Sequence, residues 1–227
     1  MPLAHPLALT RTLIGKKVLM AVTGVALFGF VVGHMLGNLK VFQGPQAFND
    51  YAEGLRTFGA PFFEHGRLLW FMRIGLLLAV GVHIWAAYVV SRASWAARPA
   101  DYHRLRATET TYAARTMRWG GVLIALYVVY HLLDLTFGPA NPSFTAGDAY
   151  GNLVASLQRP VVARYYIAAN VVVGLHLYHG LWSAAQTLGV TRVPTDQLRR
   201  GFAGLVAGAI TLGFVIVPIA ILAGWVR

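Results

Sequence analysis

The stretch VLMAVTGVALFGFVVGHML, residues 18–36, decides the fold because its apolar run is about as long as a helix that crosses the hydrocarbon core of a bilayer. Arg11, Lys16 and Lys17 stand just before it. A cleaved signal peptide would share this basic start, but the run is long for one and no small-x-small cleavage pattern follows it. The sequence therefore predicts an uncleaved membrane helix over residues 18–37.

Composition places the whole chain in the same class. Of its 227 residues, 57% are hydrophobic and only 12% are charged, which is about half the charged share of a soluble domain. Four further apolar runs predict helices over residues 67–90, 118–137, 161–185 and 202–225. We expect an all-α integral membrane bundle of five transmembrane helices in one membrane domain, residues 1–227. The first four helices are expected to run up-down-up-down.

Two connections between these helices are predicted to have structure of their own. Residues 37–66 are too polar to span a membrane and are expected to form a structured cap at its interface. The third helix should end at Gly138-Pro139, since this pair stops a helix. The later part of the stretch 140–159 is predicted to form a short surface helix.

The basic residues collect on one side of the predicted bundle. The formal net charge is +11, but Lys and Arg flank the apolar runs instead of alternating with aromatic residues, which argues against nucleic-acid binding. Twelve of the nineteen lie in the N-terminal arm and the connections 91–118 and 186–201, which the positive-inside rule places in the cytoplasm: Arg11, Lys16, Lys17, Arg92, Arg98, Arg104, Arg106, Arg115, Arg118, Arg192, Arg199 and Arg200. The N-terminus is therefore expected in the cytoplasm and the C-terminus outside.

Histidines occur inside four of the five apolar runs. Ionisable side chains at bilayer depth are costly and are usually kept for function. From the helix rise, His34 and His131 should lie about 20–24 Å from the cytoplasmic edge, and His83 and His176 about 8–12 Å from it. Helices one and three are diagonal in such a bundle, as are helices two and four. Each layer could therefore hold one flat macrocycle between two facing imidazoles.

A bis-histidine haem is the simplest occupant of each layer. The chain contains no cysteine, which excludes the covalent attachment of c-type haem and thiolate-bound iron–sulfur clusters. Two haem b groups are therefore the expected cofactors. Histidines hydrogen-bonded between helices, or a proton relay, are the alternatives; a zinc or di-iron site would gather its ligands at one depth with carboxylates.

Four ionisable residues near these layers have more than one possible role. His176 and His179 project from one helix face, so only one of them can be an axial ligand. The other could hydrogen-bond a haem propionate, help form a quinone pocket, or make a polar contact near the cytoplasmic interface. Arg73 and Arg118 could pair with propionates, or they could extend to lipid headgroups.

Four stretches resemble a known family: GHMLGNLKVFQGPQAFNDYAEGLR after the first helix, HIWAAY around His83, YHLLDLTFG around His131, and LHLYHGLWSAAQTLG in the fourth helix. The family is the di-haem cytochrome b membrane anchor, of the b558 type, of succinate dehydrogenase and fumarate reductase. The resemblance implies five helices and two haems b. It implies that His34 and His131 ligate the outer haem iron, and that His83 and His176 ligate the inner one.

The same resemblance implies the partners and the reaction. A flavoprotein subunit with FAD and an iron–sulfur subunit would dock at the cytoplasmic face of a bacterial plasma membrane, within a complex that can form a higher oligomer. No succinate chemistry would occur on this chain, which would pass electrons to or from a quinone, usually menaquinone. Glu64 and Asp134 are the candidate carboxylates of the quinone site. The alternatives are the cytochrome b of another quinone-linked dehydrogenase, a quinol:fumarate reductase anchor, and a haem-free proton-relay membrane protein.

Overall fold

A computed structural model describes residues 11–97, 112–189 and 196–227. These residues form seven α-helices and one 3-10 helix, without a strand. The elements are α1 (Leu13–Asn38), the 3-10 helix (Leu39–Gln43), α2 (Pro45–Thr57), α3 (Arg67–Ala96), α4 (Tyr112–Leu135), α5 (Ala149–Leu157), α6 (Pro160–Thr187) and α7 (Asp196–Leu222). The helices α1, α3, α4, α6 and α7 are long and apolar enough to cross a membrane. The predicted all-α fold with five candidate spans is confirmed.

The long helices extend past most of the predicted bounds. The helix α1 begins at Leu13, where the Thr12 hydroxyl accepts a hydrogen bond from the N–H of Gly15 at 3.0 Å. The helices α3 and α7 likewise continue into polar sequence, because a helix satisfies its backbone groups beyond the hydrocarbon as well as within it. Several charged residues of the predicted basic connections lie outside the described residues: Arg98, Asp101, Arg104, Arg106, Glu109 and Arg192.

Three of the four neighbouring pairs expected for an up-down-up-down bundle are in contact among the first four long helices. The helix α1 packs against α3 and α6, and α4 packs against α6. In the described residues, the diagonal pairs α1 with α4 and α3 with α6 lack extensive backbone contact, as does the pair of α3 and α4. The helix α7 packs mainly on α6, where Gly174 lets Thr211 approach so closely that a Cβ would clash with its hydroxyl. Small residues of this kind let membrane helices approach.

The two ends of the bundle differ. We call the end covered by the 3-10 helix, α2 and α5 the cap end, and the opposite end, where α3 and α6 finish and α7 begins, the basic end. The cap contains the main buried apolar cluster of the described residues. In this cluster Val41 and Phe48 meet α5 and the end of α7, where Ile221 lies. The predicted structured cap over residues 37–66 is therefore present as the 3-10 helix and α2.

The helix α5 was predicted as a short surface helix, and its predicted position at the surface was wrong. A short helix is present, but most of it is buried: Tyr150, Asn152, Leu153, Val154, Ser156 and Leu157. Its sequence carries no charged side chain, and apolar residues of α2 and α7 cover it. The first turn of α5 is capped from two directions, because Asp148 accepts from the N–H of Gly151 at 2.9 Å and the Asn49 side chain accepts from the N–H of Tyr150 at 2.9 Å.

These hydrogen bonds join α2 to the first turn of α5 and lower the pKa of the Asp148 carboxyl. The N–H of Gly151 and the amide of Asn49 both donate to Asp148, and they hold the pKa of its carboxyl below the ordinary value. A carboxyl with a lowered pKa in the folded state stabilises it above its unfolded pKa, and this stabilisation is lost as the pH falls through the folded pKa. The cap should therefore weaken in acid.

We predict that Asp148→Ala lowers the free energy of unfolding by about 1–2 kcal/mol, since it removes a helix N-cap and leaves the Asn49 amide without its acceptor. Thermal unfolding in detergent measures the effect. The control is Asp50→Ala, because Asp50 is an exposed carboxylate that accepts from Gln46 within α2. Equal unfolding midpoints for the two variants would contradict the prediction.

Candidate functional site: two histidine pairs

The first pair of histidines lies near the cap end. His34 precedes the end of α1 by four residues, and His131 precedes the end of α4 by four residues. Their ring centroids are 5.8 Å apart, with an interplanar angle of 87°. Phe30 stacks on His34 at 5.3 Å, and Phe214 of α7 lies 6.0 Å from it. We call His34 and His131 the cap-side pair.

The second pair lies nearer the basic end. The rings of His83 on α3 and His176 on α6 have centroids 6.3 Å apart and an interplanar angle of 63°. His179 lies against the ring of Trp182 at 5.7 Å. Of the two histidines that spacing left open, His176 is therefore the one that faces His83. We call His83 and His176 the basic-side pair.

The two pairs occupy two levels of the bundle. A Cβ at Gly24 of α1 would lie 3.2 Å from the ring of His83, and His34 follows ten residues later on the same helix. A Cβ at Gly121 of α4 would lie 4.0 Å from the ring of His176, and the cap-side histidine of α4 again follows ten residues later. Ten residues of helix rise by about 15 Å. Two helices thus give the same distance between the levels.

The backbone of α1 orients His83. Its Nδ1 lies 3.0 Å from the carbonyl oxygen of Met20 and 3.2 Å from the hydroxyl of Thr23. A carbonyl oxygen can only accept, and the Thr23 hydroxyl donates its own hydrogen to the carbonyl of Leu19 at 2.7 Å. In the neutral ring, Nδ1 therefore carries the proton and Nε2 keeps the free electron pair, as for a metal-binding imidazole held by a second contact.

A buried network orients His131 in the same way. The Tyr166 hydroxyl donates to the Asp134 carboxylate at 2.9 Å, and its oxygen lies 3.4 Å from Nδ1 of His131. Since the hydrogen of the hydroxyl is used, its oxygen accepts from His131. Asp134 itself is fully buried, and it also accepts from Ser156 at 2.5 Å and from Arg159 at 2.7 Å. The Nε2 of His131 is again left with its electron pair.

The residues of both levels fit a metal held between two imidazoles. Two metal–nitrogen bonds of about 2 Å each, with roughly 1 Å from each nitrogen to its ring centre, would separate two ring centres by about 6 Å. The measured separations are 5.8 and 6.3 Å. Nδ1 of His176 and Nδ1 of His179 are buried without a hydrogen-bond partner, which is costly in an apolar interior. No group of three or more metal-ligating side chains occurs within the described residues.

The other predicted site residues lie apart from the histidine pairs or support them. Glu64 is exposed and forms an ion pair with Arg67 at 2.8 Å at the start of α3. Arg73 lies over the ring of Trp70 at 5.1 Å. Arg118 lies over the ring of Trp95 at 4.7 Å, where α3 and α4 approach at the basic end. Asp134 is the one quinone-site candidate that the structure connects to a histidine.

The sequence interpretation missed Tyr166, Arg159, Ser156 and Thr23. A signal existed for Tyr166, because it precedes His176 by ten residues and the same interval separates the two levels on α1 and α4. Arg159 and Ser156 gave no signal, since their contacts with Asp134 depend on how α5 is placed against α4. Their roles follow from tertiary packing alone.

Comparisons with known proteins add no relative: no family model matches the chain, and neither a curated protein nor a solved structure is significantly similar to it.

We predict that Arg159→Gln destabilises the protein by about 2–4 kcal/mol, because it leaves the buried Asp134 carboxylate without its cation. The matched control is Arg164→Gln, since Arg164 is exposed on the same helix. Adding Asp134→Asn to Arg159→Gln should recover part of the loss by removing the unpaired charge. Thermal unfolding in detergent measures all three variants, and a double variant that unfolds earlier than Arg159→Gln alone would contradict this interpretation.

Proposed function

We propose that this chain is the membrane anchor subunit, with two haem b groups, of a succinate:quinone oxidoreductase, and that it carries electrons between an iron–sulfur subunit and a quinone. One observation carries the proposal: four spanning helices bring their histidines together as two diagonal pairs at two levels of the bundle. The ring separations and the unprotonated Nε2 atoms of His83 and His131 fit iron held between two imidazoles. The resemblance of four stretches to the b558 anchors extends the proposal from cofactor to complex.

The axial ligands follow from the pairs. His34 and His131 would hold one haem iron, and His83 and His176 the other. His179 is not a ligand in this proposal, because its ring lies against Trp182. A haem b bound at each level would supply reversible one-electron transfer. The chain's own residues orient two of the imidazoles, those of His83 and His131, and keep the proton of each ring on Nδ1.

The orientation contacts have a chemical consequence. A hydrogen bond from Nδ1 to a carbonyl or hydroxyl oxygen makes an imidazole a stronger ligand and fixes its ring. His83 has this bond to Met20, and His131 has it to Tyr166. Tyr166 is itself held by a carboxylate with a nearby arginine, so the charge next to the cap-side pair is balanced. Unbalanced charge there would change the reduction potential.

The partners and the quinone belong to the same proposal. The flavoprotein and iron–sulfur subunits would dock at the basic end, on the cytoplasmic side of a bacterial plasma membrane, and the substrate would be menaquinone. Of the two candidate carboxylates, Glu64 suits proton exchange with quinone better, because its side chain is 75% exposed. Asp134 is 0% exposed and is held by Arg159, so we assign it to positioning His131.

We predict that single histidine variants fall into two classes. His34→Ala and His131→Ala should lose the same haem, and His83→Ala and His176→Ala should lose the other, because each haem needs both rings of its pair. His179→Ala is the control and should keep two haems. Reduced-minus-oxidised spectra and haem content per chain distinguish these outcomes. Loss of haem in His179→Ala with retention in His176→Ala would contradict the assignment of the basic-side pair.

We also predict that the chain, tagged and purified from native membranes under mild conditions, brings with it flavin and iron–sulfur clusters and a succinate-dependent reduction of quinone. Flavin and cluster content are measured by fluorescence and by acid-labile sulfide. A purified complex with haem but without flavin would instead favour the cytochrome b of another quinone-linked dehydrogenase. The haem assignment and the partner assignment are therefore tested separately.

A further inference from the structure

A groove lies between the last turns of α6 and the first turns of α7, at the basic end. Its volume is about 490 Å³, within the range of small-molecule sites in proteins, about 300–1,000 Å³. Apolar side chains line most of it, together with Arg199: Leu181, Trp182, Ala185, Leu198, Phe202 and Ala203. It lies between the basic-side pair and the basic end of the bundle, and it shares no lining residue with the proposed haem sites.

The groove opens to the side of the bundle. Leu198 and Phe202, which line it from α7, are 59% and 68% exposed. Trp182 lines it from α6, and the guanidinium of Arg200 lies over the Trp182 ring at 4.4 Å. Tryptophan and arginine are typical of the level where hydrocarbon meets the lipid headgroups. The groove is thus an apolar slot at the membrane surface with cationic side chains at its mouth.

Two described arginines lie at the groove. Arg199 is one of its lining residues, and Arg200 lies over the ring of Trp182. Basic pockets between spanning helices at the membrane surface suit the headgroups of anionic lipids, and each cation near an anionic surface contributes about 1 kcal/mol. An arginine also presents a planar fork of N–H donors that matches phosphate.

We propose that this groove binds an anionic phospholipid, with part of an acyl chain along the apolar lining and the phosphate at Arg199 and Arg200. The apolar lining distinguishes this ligand from free phosphate, which would gain nothing from Leu181 or Phe202. The positive mouth distinguishes it from a zwitterionic lipid, whose headgroup carries its own cation. The site is independent of the haem proposal, because it shares no residue with the histidine pairs.

The test is native mass spectrometry of the full-length purified chain, titrated with phosphatidylglycerol or with phosphatidylcholine of the same acyl chains. We expect at least tenfold tighter binding of phosphatidylglycerol. Arg199→Gln with Arg200→Gln should weaken its binding at least tenfold, whereas Arg199→Lys with Arg200→Lys should keep most of it. If the double glutamine variant does not fold, the double lysine variant still tests whether positive charge at these two positions is enough for binding.

Two further variants separate the groove from surface charge in general. Arg92→Gln removes one charge at the same end of the bundle, from an exposed position on α3, and should leave binding unchanged. Ala185→Phe fills the slot without changing charge, and should weaken phosphatidylglycerol binding severalfold. Any of four results would overturn the proposal. The two lipids could bind equally, or Arg92→Gln could lose as much binding as the double glutamine variant. Ala185→Phe could lose no binding, or inorganic phosphate could compete as well as the lipid.

Discussion

An imidazole ring inside a membrane bundle needs partners for both of its nitrogens, because no water is at hand to replace them. The described structure supplies one partner to His83 and one to His131, each on Nδ1. With the proton on Nδ1, the Nε2 of both rings keeps its electron pair, and each ring has a second imidazole about 6 Å away across the bundle. The proposed iron at each level would meet that requirement for both rings of a pair. Each pair joins two helices that lack extensive backbone contact, so the two rings face one another across the bundle.

The cap contributes to the orientation of His131 through a few buried contacts. Ser156 of α5 and Arg159 at the start of α6 both donate to Asp134 of α4, which holds the Tyr166 hydroxyl against His131. The placement of α5 therefore sets the orientation of a ring that lies inside the membrane span. Burial of α5 beneath α2 and the end of α7 has a function beyond covering the bundle. It places Ser156 against Asp134, in the network that contacts His131.

The sequence was sufficient for the parts of the fold that depend on local pattern. Runs of apolar residues predict the five spans, and their order predicts which histidines share a level. Residue spacing could not distinguish His176 from His179, because both project from one helix face. The packing of α6 shows that His176 faces His83. The hydrogen-bond network around Asp134 also could not be predicted from the sequence, because it joins residues from three helices. The burial of α5 depends on contacts with residues sixty or more positions away, such as Val217 and Ile221.

The measurement that tests the central claim most directly is the haem content of the purified wild-type chain, by pyridine haemochrome spectrum against protein concentration from amino-acid analysis. Two haems b per chain are predicted, one for each histidine pair. A folded chain, shown to be helical by circular dichroism, that contains no haem after expression in a haem-replete host would contradict the claim. The four histidines would then have to be explained by hydrogen bonding or proton transfer.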